Sequence, residues 1–172
     1  FFNEKFKKKL YSFHQPSGFI FNEILFKYKI SLESILIKRD CVSKLEKFFC
    51  PQFQLISDFD LIARLSFYHK IVYVPFILSK WRIHNNNSTK GRLINFIDEK
   101  LDWLKINKNL LTFKQKIKLE KFYKINKSLL LICENRFYEA NQNFKNNFSF
   151  SLKYFLVLYI LKIKIFNNFI IS

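Results

Sequence analysis

The sequence has no methionine, two glycines, three prolines and an odd set of three cysteines. Without methionine, and beginning at Phe1, it is expected to be a fragment or the product of a truncated reading frame. Residues 1–11 hold too many lysines for the apolar core of a signal peptide. Cys41, Cys50 and Cys133 lack paired metal-ligand spacing, which leaves free thiols of a reducing compartment such as the cytoplasm. Cys50 precedes Pro51 with no histidine directed at it, so a cysteine nucleophile is not expected. Long apolar runs are missing too: the longest, residues 154–161, falls well short of the ~20 residues a spanning helix needs. No internal repeat recurs at a fixed period. Arginine is scarce beside lysine, and the lysines are spread along the chain, so the formal net charge of +17 does not point to base-reading nucleic-acid recognition. Scarce glycine with abundant Lys, Asn, Ile and Phe is what an A/T-rich genome imposes on any protein. Most of the charge is assigned to that composition, and the rest to attraction toward anionic membrane or diphosphate groups.

What is present is an apolar content of 49% with frequent aromatics, in a length that suits one domain with a real core, and this argues against disorder. Chemistry is concentrated in residues 57–89. Ser57 is placed to cap a helix through the amide of Asp60, with Asp58 and Asp60 in the first turn, where the dipole favours negative charge. On helix grammar alone both acids are caps. Asp60 and Arg64 stand four apart, acid before base, and Leu61, Ile62 and Leu65 supply the apolar stripe. After Tyr68 the chain turns through His69 and Lys70 into Ile71, Val72, Tyr73 and Val74, which read as a strand closed by Pro75. Residues 76–83 form a second extended candidate, and His84 lies at its end beside Asn85, Asn86 and Asn87. Upstream, residues 19–28 read as a helix, and Ser34, Ile35, Leu36 and Ile37 as a buried strand leading to Lys38 and Arg39. Asp40 is placed to cap a following helix that runs to about Lys47, with Val42, Leu45 and Phe49 as core candidates. His14 and His69 read as ordinary surface or turn residues.

Taken in order, Lys38-Arg39, then Ser57-Asp58-Phe59-Asp60-Leu61 with Arg64, then Lys70-Ile71-Val72-Tyr73-Val74, then Trp81-Arg82-Ile83-His84 followed by Ser88-Thr89 resemble the C-terminal half of a family 2 glycosyltransferase of GT-A fold, over residues 20–90. The resemblance implies an α/β architecture: a partial GT-A domain with few strands over residues 1–90, followed by a mostly α-helical extension over 91–172. In that family an acidic pair, usually Glu-Asp, opens a helix, and its Asp is the general base that deprotonates the acceptor hydroxyl. The matching position is Asp58. A histidine near the end of the fold helps hold a divalent metal, Mg²⁺ or Mn²⁺, against the donor diphosphate, and His84 matches it. Arg82 either faces the diphosphate or pairs with an acid at the strand end. Arg39 is a solvated strand end or a substrate contact, and Asp60 belongs with it on the acceptor side.

The chain also departs from the family. Ser57 stands where Glu is frequent, and Lys47 and His69 where Gly is common, although His tolerates a left-handed turn better than most residues. The nucleotide-binding half with its Asp-X-Asp motif has no counterpart; the one such triplet, Asp58-Phe59-Asp60, belongs by spacing to the acidic motif. The implied function is inverting transfer of a sugar from a nucleotide-sugar donor to a hydroxyl of a glycan or lipid-linked acceptor in glycan or polysaccharide biosynthesis. A piece lacking the donor half is expected to show little or no activity alone. That reading requires Asp58 and His84 to share one cleft.

Downstream, Leu93, Phe96, Ile97, Leu101 and Leu104 recur at helical spacing, and a second helical pattern runs from Leu111 to Phe144 with a break. Asp98, Glu99 and Asp102 read as a solvated face. Residues 148–171, aromatic and apolar with Lys153, Lys162 and Lys164, form either a helix lying in the headgroup region of the inner membrane face or one packed back on the protein. The competing class is a non-catalytic basic module for anionic membrane or nucleic acid, whose binding collapses with salt and ignores Asp58→Asn.

Overall fold

The computed structural model describes residues 14–43, 45–80 and 91–145. Among them lie six α-helices: α1 (Phe21–Phe26), α2 (Arg39–Ser43), α3 (Ser57–Tyr68), α4 (Leu93–Ile106), α5 (Phe113–Cys133) and α6 (Phe137–Lys145). Of the described residues 60% are helical, 2% are strand-like, and no sheet forms. This overturns the α/β expectation and with it the partial GT-A architecture. Among the described residues Ile71 pairs with Gly18 alone, through Gly18 N–H to Ile71 O at 2.7 Å and Ile71 N–H to Gly18 O at 2.9 Å. Two residues on, the Tyr73 amide donates to the Ser17 hydroxyl instead of to a neighbouring strand. Leu36 is 100% exposed and Val72 75% exposed, while Ile35, Ile37 and Ile71 rest half-buried against the core, so residues 34–37 are not the buried strand expected and neither run joins a sheet among the described residues. The physical reason is that a β-branched run acquires strand structure only from a neighbour that takes its backbone groups, whereas a helix bonds internally. Residues 76–80 carry no strand either, and 81–83 lie outside the described residues.

The helical expectations fare differently. Helix α3 spans twelve residues and ends at Tyr68 as expected, α4 begins at Leu93, and the later pattern divides at Glu134–Arg136 into α5 and α6. Helix α1 is shorter than residues 19–28, and α2 stops at Ser43, with Val42 and Leu45 half-buried and Phe49 exposed rather than in the core. Helix α5 starts at a capping box, in which the Gln115 amide donates to the Thr112 hydroxyl and the Thr112 amide to the Gln115 side chain. It ends with Asn135 at φ 63°, the Arg136 amide bonding Leu131 O and the Asn135 amide bonding Ile132 O. That pair of bonds is a Schellman close, and in a chain this poor in glycine the left-handed position falls to asparagine, the next most tolerant residue.

One core gathers Ile24 and Leu25 of α1, Phe59, Leu61, Ile62 and Leu65 of α3, Trp103 and Leu104 of α4, and Leu119 and Tyr123 of α5. Apolar side chains from both sides of the 90/91 boundary share this core. A second cluster joins Ile94, Leu131, Ile132, Ala140 and Phe144 where α6 lies on α5. There Asn143 donates to the Ser128 hydroxyl and to Lys124 O, which satisfies a buried hydroxyl between the two helices. Phe59 and Trp103 meet edge to face with ring centroids 5.3 Å apart, and Tyr28 meets Phe59 at 5.4 Å. This aromatic stack is the floor beneath the first turn of α3.

Candidate functional site

The two acids of that first turn have separate fates. Asp60 is 1% exposed. Its Oδ2 accepts from Arg64 Nε at 3.1 Å and Nη2 at 2.7 Å, and its Oδ1 accepts from the Trp103 indole at 2.9 Å. Arg64 also donates to Lys47 O and Phe48 O, so one guanidinium ties α3 to the preceding loop. A buried carboxylate with this many charge-assisted bonds is a structural cross-brace between α3 and α4. Asp60 is therefore placed in the core and not on an acceptor surface.

Asp58 instead stays half-buried at the mouth of the helix. Its Oδ1 accepts from the Phe59 amide at 2.7 Å, while the N-cap position belongs to Ile56 with no side-chain cap. Burial raises its carboxyl above the ordinary range, opposed by the hydrogen bond from Phe59, the Tyr28 hydroxyl facing it and the positive charge of Lys100. Lys100, from α4, is half-buried with its ammonium 4.8 Å from the Phe59 ring centroid and 5.5 Å from that of Tyr123. Burial lowers its pKa, against the pull of Asp58. A carboxylate pushed up and a lysine pushed down at one spot form the kind of perturbed pair that proton-handling sites share.

Ser57 does not cap α3 as expected: it is the first residue of the helix, and the Asp60 amide bonds Ile56 O. The turn into α3 is held by a residue read as solvated. Glu99 of α4 accepts from the amides of Gln54 at 3.3 Å, Leu55 at 2.9 Å and Ile56 at 3.1 Å. Three successive amides converging on one carboxylate form an anion nest filled from within the chain. Asp98 and Asp102 keep to the solvated face, Asp98 pairing with Lys127 of α5 at 2.5 Å and Asp102 with Lys105. The His69 end of α3 is extended, with φ −128° and ψ 148°, so no left-handed turn is needed there.

The other predicted site residues are not brought to Asp58 among the described residues. Arg39 opens α2 at the surface, with no ion pair or hydrogen bond to either acid among them. Trp81, Arg82 and His84 lie outside the described residues, as does the stretch 148–171. No three His, Cys, Asp or Glu side chains among the described residues converge as a metal site. All three cysteines are free thiols. Among the described residues no helix is long and apolar enough to cross a membrane.

Two open clefts flank α4. One of about 250 Å³ lies between Phe53, Glu99 and Ile106, and one of about 460 Å³ between Asp98, Lys127, Arg136 and Glu139; neither is lined by Asp58. In the second, Asp98 pairs with Lys127 and Arg136 with Glu139, while the Glu99 and Asp102 that also line it are engaged by the amides of residues 54–56 and by Lys105. The sequence reading missed Lys100, Tyr28 and Glu99 as partners of the α3 entry. For Lys100 a signal existed: it stands between Ile97 and Leu101 on the apolar stripe, where a lysine must find a use for its charge or reach out of the interior. No family model matches this chain, and no curated protein or solved structure matches it either.

Proposed function

We propose that this chain is the acceptor-side part of an inverting glycosyltransferase, with Asp58 as the general base. The observation that carries the reading is the division of labour within the acidic pair. Asp60 is sequestered by Arg64 and Trp103, while Asp58 remains at the helix mouth with a carboxyl raised by burial. A base works best when its pKa approaches the working pH, and partial desolvation moves an aspartate in that direction. The motif order that resembles family 2 glycosyltransferases supplies the reaction class.

In this mechanism the acceptor hydroxyl gives its proton to Asp58 as its oxygen bonds the anomeric carbon of the donor. The bond from that carbon to the nucleoside diphosphate breaks on the opposite face. The core beneath Phe59 and Trp103 fixes the first turn of α3, so the carboxylate is held rather than searching for its geometry. The described residues supply no ligand set for the divalent ion that the resemblance implies. Mg²⁺ or Mn²⁺, His84 and Arg82 therefore belong to the proposal through the motif alone, and no step here passes through the ion. The donor is a nucleotide sugar, and the acceptor a glycan or lipid-linked saccharide. The site of action is the cytoplasmic side, where free thiols stay reduced, with residues 148–171 against the anionic inner face of the cell membrane.

The test uses the protein with everything its reading frame encodes, a panel of sugar nucleotides and lipid-linked saccharide acceptors, and nucleoside diphosphate release as the signal. Asp58→Asn is expected to lower transfer by about 10²–10⁴-fold, the usual contribution of a positioned base, with the fold retained. Equal transfer by wild type and Asp58→Asn would sink the assignment. Release by the isolated 172-residue chain at the rate of the whole protein would overturn the expectation that this part is inactive alone.

A further inference from the structure

We infer that the exposed first half of α5, with Phe113 and Ile117 flanked by Lys114, Lys118 and Lys121, is a docking face for an anionic bilayer surface. The inference stands apart from the sugar-transfer reading and adds a surface to the one proposed for residues 148–171.

Phe113, Ile117, Lys121, Lys124, Ser128 and Leu131 recur three or four positions apart, so they form one stripe along α5. Helix α6 covers the far half of that stripe: Asn143 donates to Lys124 O and to the Ser128 hydroxyl, and Leu131 packs with Ala140 and Phe144. Among the described residues Phe113 and Ile117 have no such cover. They are 81% and 51% exposed, and Lys114, Lys118 and Lys121 beside them are exposed too. The opposite side of the same half sends Leu119 and Tyr123 into the core. Toward α1, Gln115 donates to Asn22, and the Lys118 ammonium stands 5.1 Å from the Phe26 ring centroid. Contacts on the flank and beneath thus fix the direction in which the two apolar side chains point outward.

Charge decides what can cover them. From Lys105 to Leu119 the sequence has no acid, and Glu120 is engaged by Lys124; α1 adds one acid, Glu23. Residues 146–172 hold lysines and no acid, and a second copy carries the same net charge of +17, so neither complements the face. A duplex nucleic acid would match the lysines and leave Ile117 against a polar phosphate backbone. An anionic bilayer supplies both chemistries. Its headgroups take the ammonium groups, and the acyl chains just below take Phe113 and Ile117, with the lysine stems lying along the boundary.

The experiment is sedimentation of the 172-residue chain with vesicles of phosphatidylcholine alone, and of phosphatidylcholine with about one-third phosphatidylserine. Wild type is expected to bind the anionic vesicles and not the neutral ones. A lysine at such a surface is worth about fivefold in partitioning, so the triple variant Lys114→Gln, Lys118→Gln, Lys121→Gln is expected to bind about 10²-fold more weakly. The control Lys38→Gln, Lys47→Gln, Lys70→Gln removes as much charge from exposed positions outside α5, and is expected to lose about tenfold less. Phe113→Ser is expected to weaken binding by about tenfold. In Phe113→Trp, the added emission is expected to shift to the blue on anionic vesicles and to be quenched by lipids brominated in their acyl chains. Every substituted residue is exposed, and far-UV circular dichroism reports that the helices persist.

Wild type that ignores anionic vesicles, equal losses in the two triple variants, binding indifferent to Phe113→Ser, or an unquenched Phe113→Trp each overturns the inference. So does Phe113→Trp emission already shifted to the blue without lipid, which would put this face beneath protein. A triple α5 variant that loses its hold on a duplex oligonucleotide while keeping its hold on vesicles would give the face to nucleic acid instead.

Discussion

Replacing Asp60 by alanine tests the division of the acidic pair most directly. The carboxylate is 1% exposed and accepts two bonds from Arg64 and one from the Trp103 indole. Its loss leaves the indole N–H buried without that acceptor, a penalty of about 1–3 kcal/mol. It also leaves a guanidinium that is 17% exposed without its counter-ion, and breaking a buried ion pair from one side costs about 3–5 kcal/mol. Arg64 keeps its bonds to Lys47 O and Phe48 O, which softens the second penalty, so these overlapping terms converge on a net loss of about 3–5 kcal/mol.

For a chain of this size each kcal/mol moves the midpoint by roughly 2–4 °C, which gives a fall of roughly 6–20 °C in Tm. The assay is thermal unfolding followed by circular dichroism, with urea midpoints as a second measure. Trp103→Phe removes the same hydrogen bond from the other side. The double variant is expected to be at least 0.5 kcal/mol less damaged than the sum of the singles, the mark of residues in contact. A Tm for Asp60→Ala within a degree or two of wild type, or strict additivity with Trp103→Phe, would refute the cross-brace.

Three further outcomes follow from the same geometry. Asp58 has its folded carboxyl raised above the unfolded value of 3.8, so its ionisation opposes folding. Asp58→Asn should therefore raise Tm at pH 7, with the gain shrinking as pH falls through the raised folded value and gone below 3.8, where the acid is neutral in both states; a Tm lowered at pH 7 would contradict this. Glu99→Gln keeps the shape of the side chain but weakens three amide bonds at the entry to α3. It is expected to cost about 1–3 kcal/mol and to speed hydrogen exchange at Leu55 and Ile56, and unchanged exchange there would count against the nest. Asn135 is left-handed at φ 63°, so Asn135→Ala should lower stability by about 1–2 kcal/mol and Asn135→Gly should hold or raise it. Urea midpoints of the two variants in the reverse order would refute the Schellman assignment.

Helices were the readable part of this sequence, because an α-helix is written locally. Residues 57–68 carry their apolar stripe, their Asp60–Arg64 pair and their end at Tyr68 within one short window, and the folded chain keeps all of these. The strands expected at Ser34–Ile37 and Ile71–Val74 were legible only as propensity. Their hydrogen bonds must come from another segment, and among the described residues Ile71 finds only Gly18.

The site follows the same rule. That two acids open a helix is stated by the sequence, but helix grammar assigns both the same role. Tertiary structure separates them, because the indole of Trp103 reaches Asp60 across 43 positions and Lys100 sets its charge against Asp58 across the α3–α4 contact. Glu99 reads as solvated for the same reason: nothing near it in sequence shows that three amides from residues 54–56 converge on its carboxylate. Periodicity and local charge pairs settle what the backbone does with its own neighbours, while the protonation and use of a half-buried acid depend on groups that only packing brings within reach.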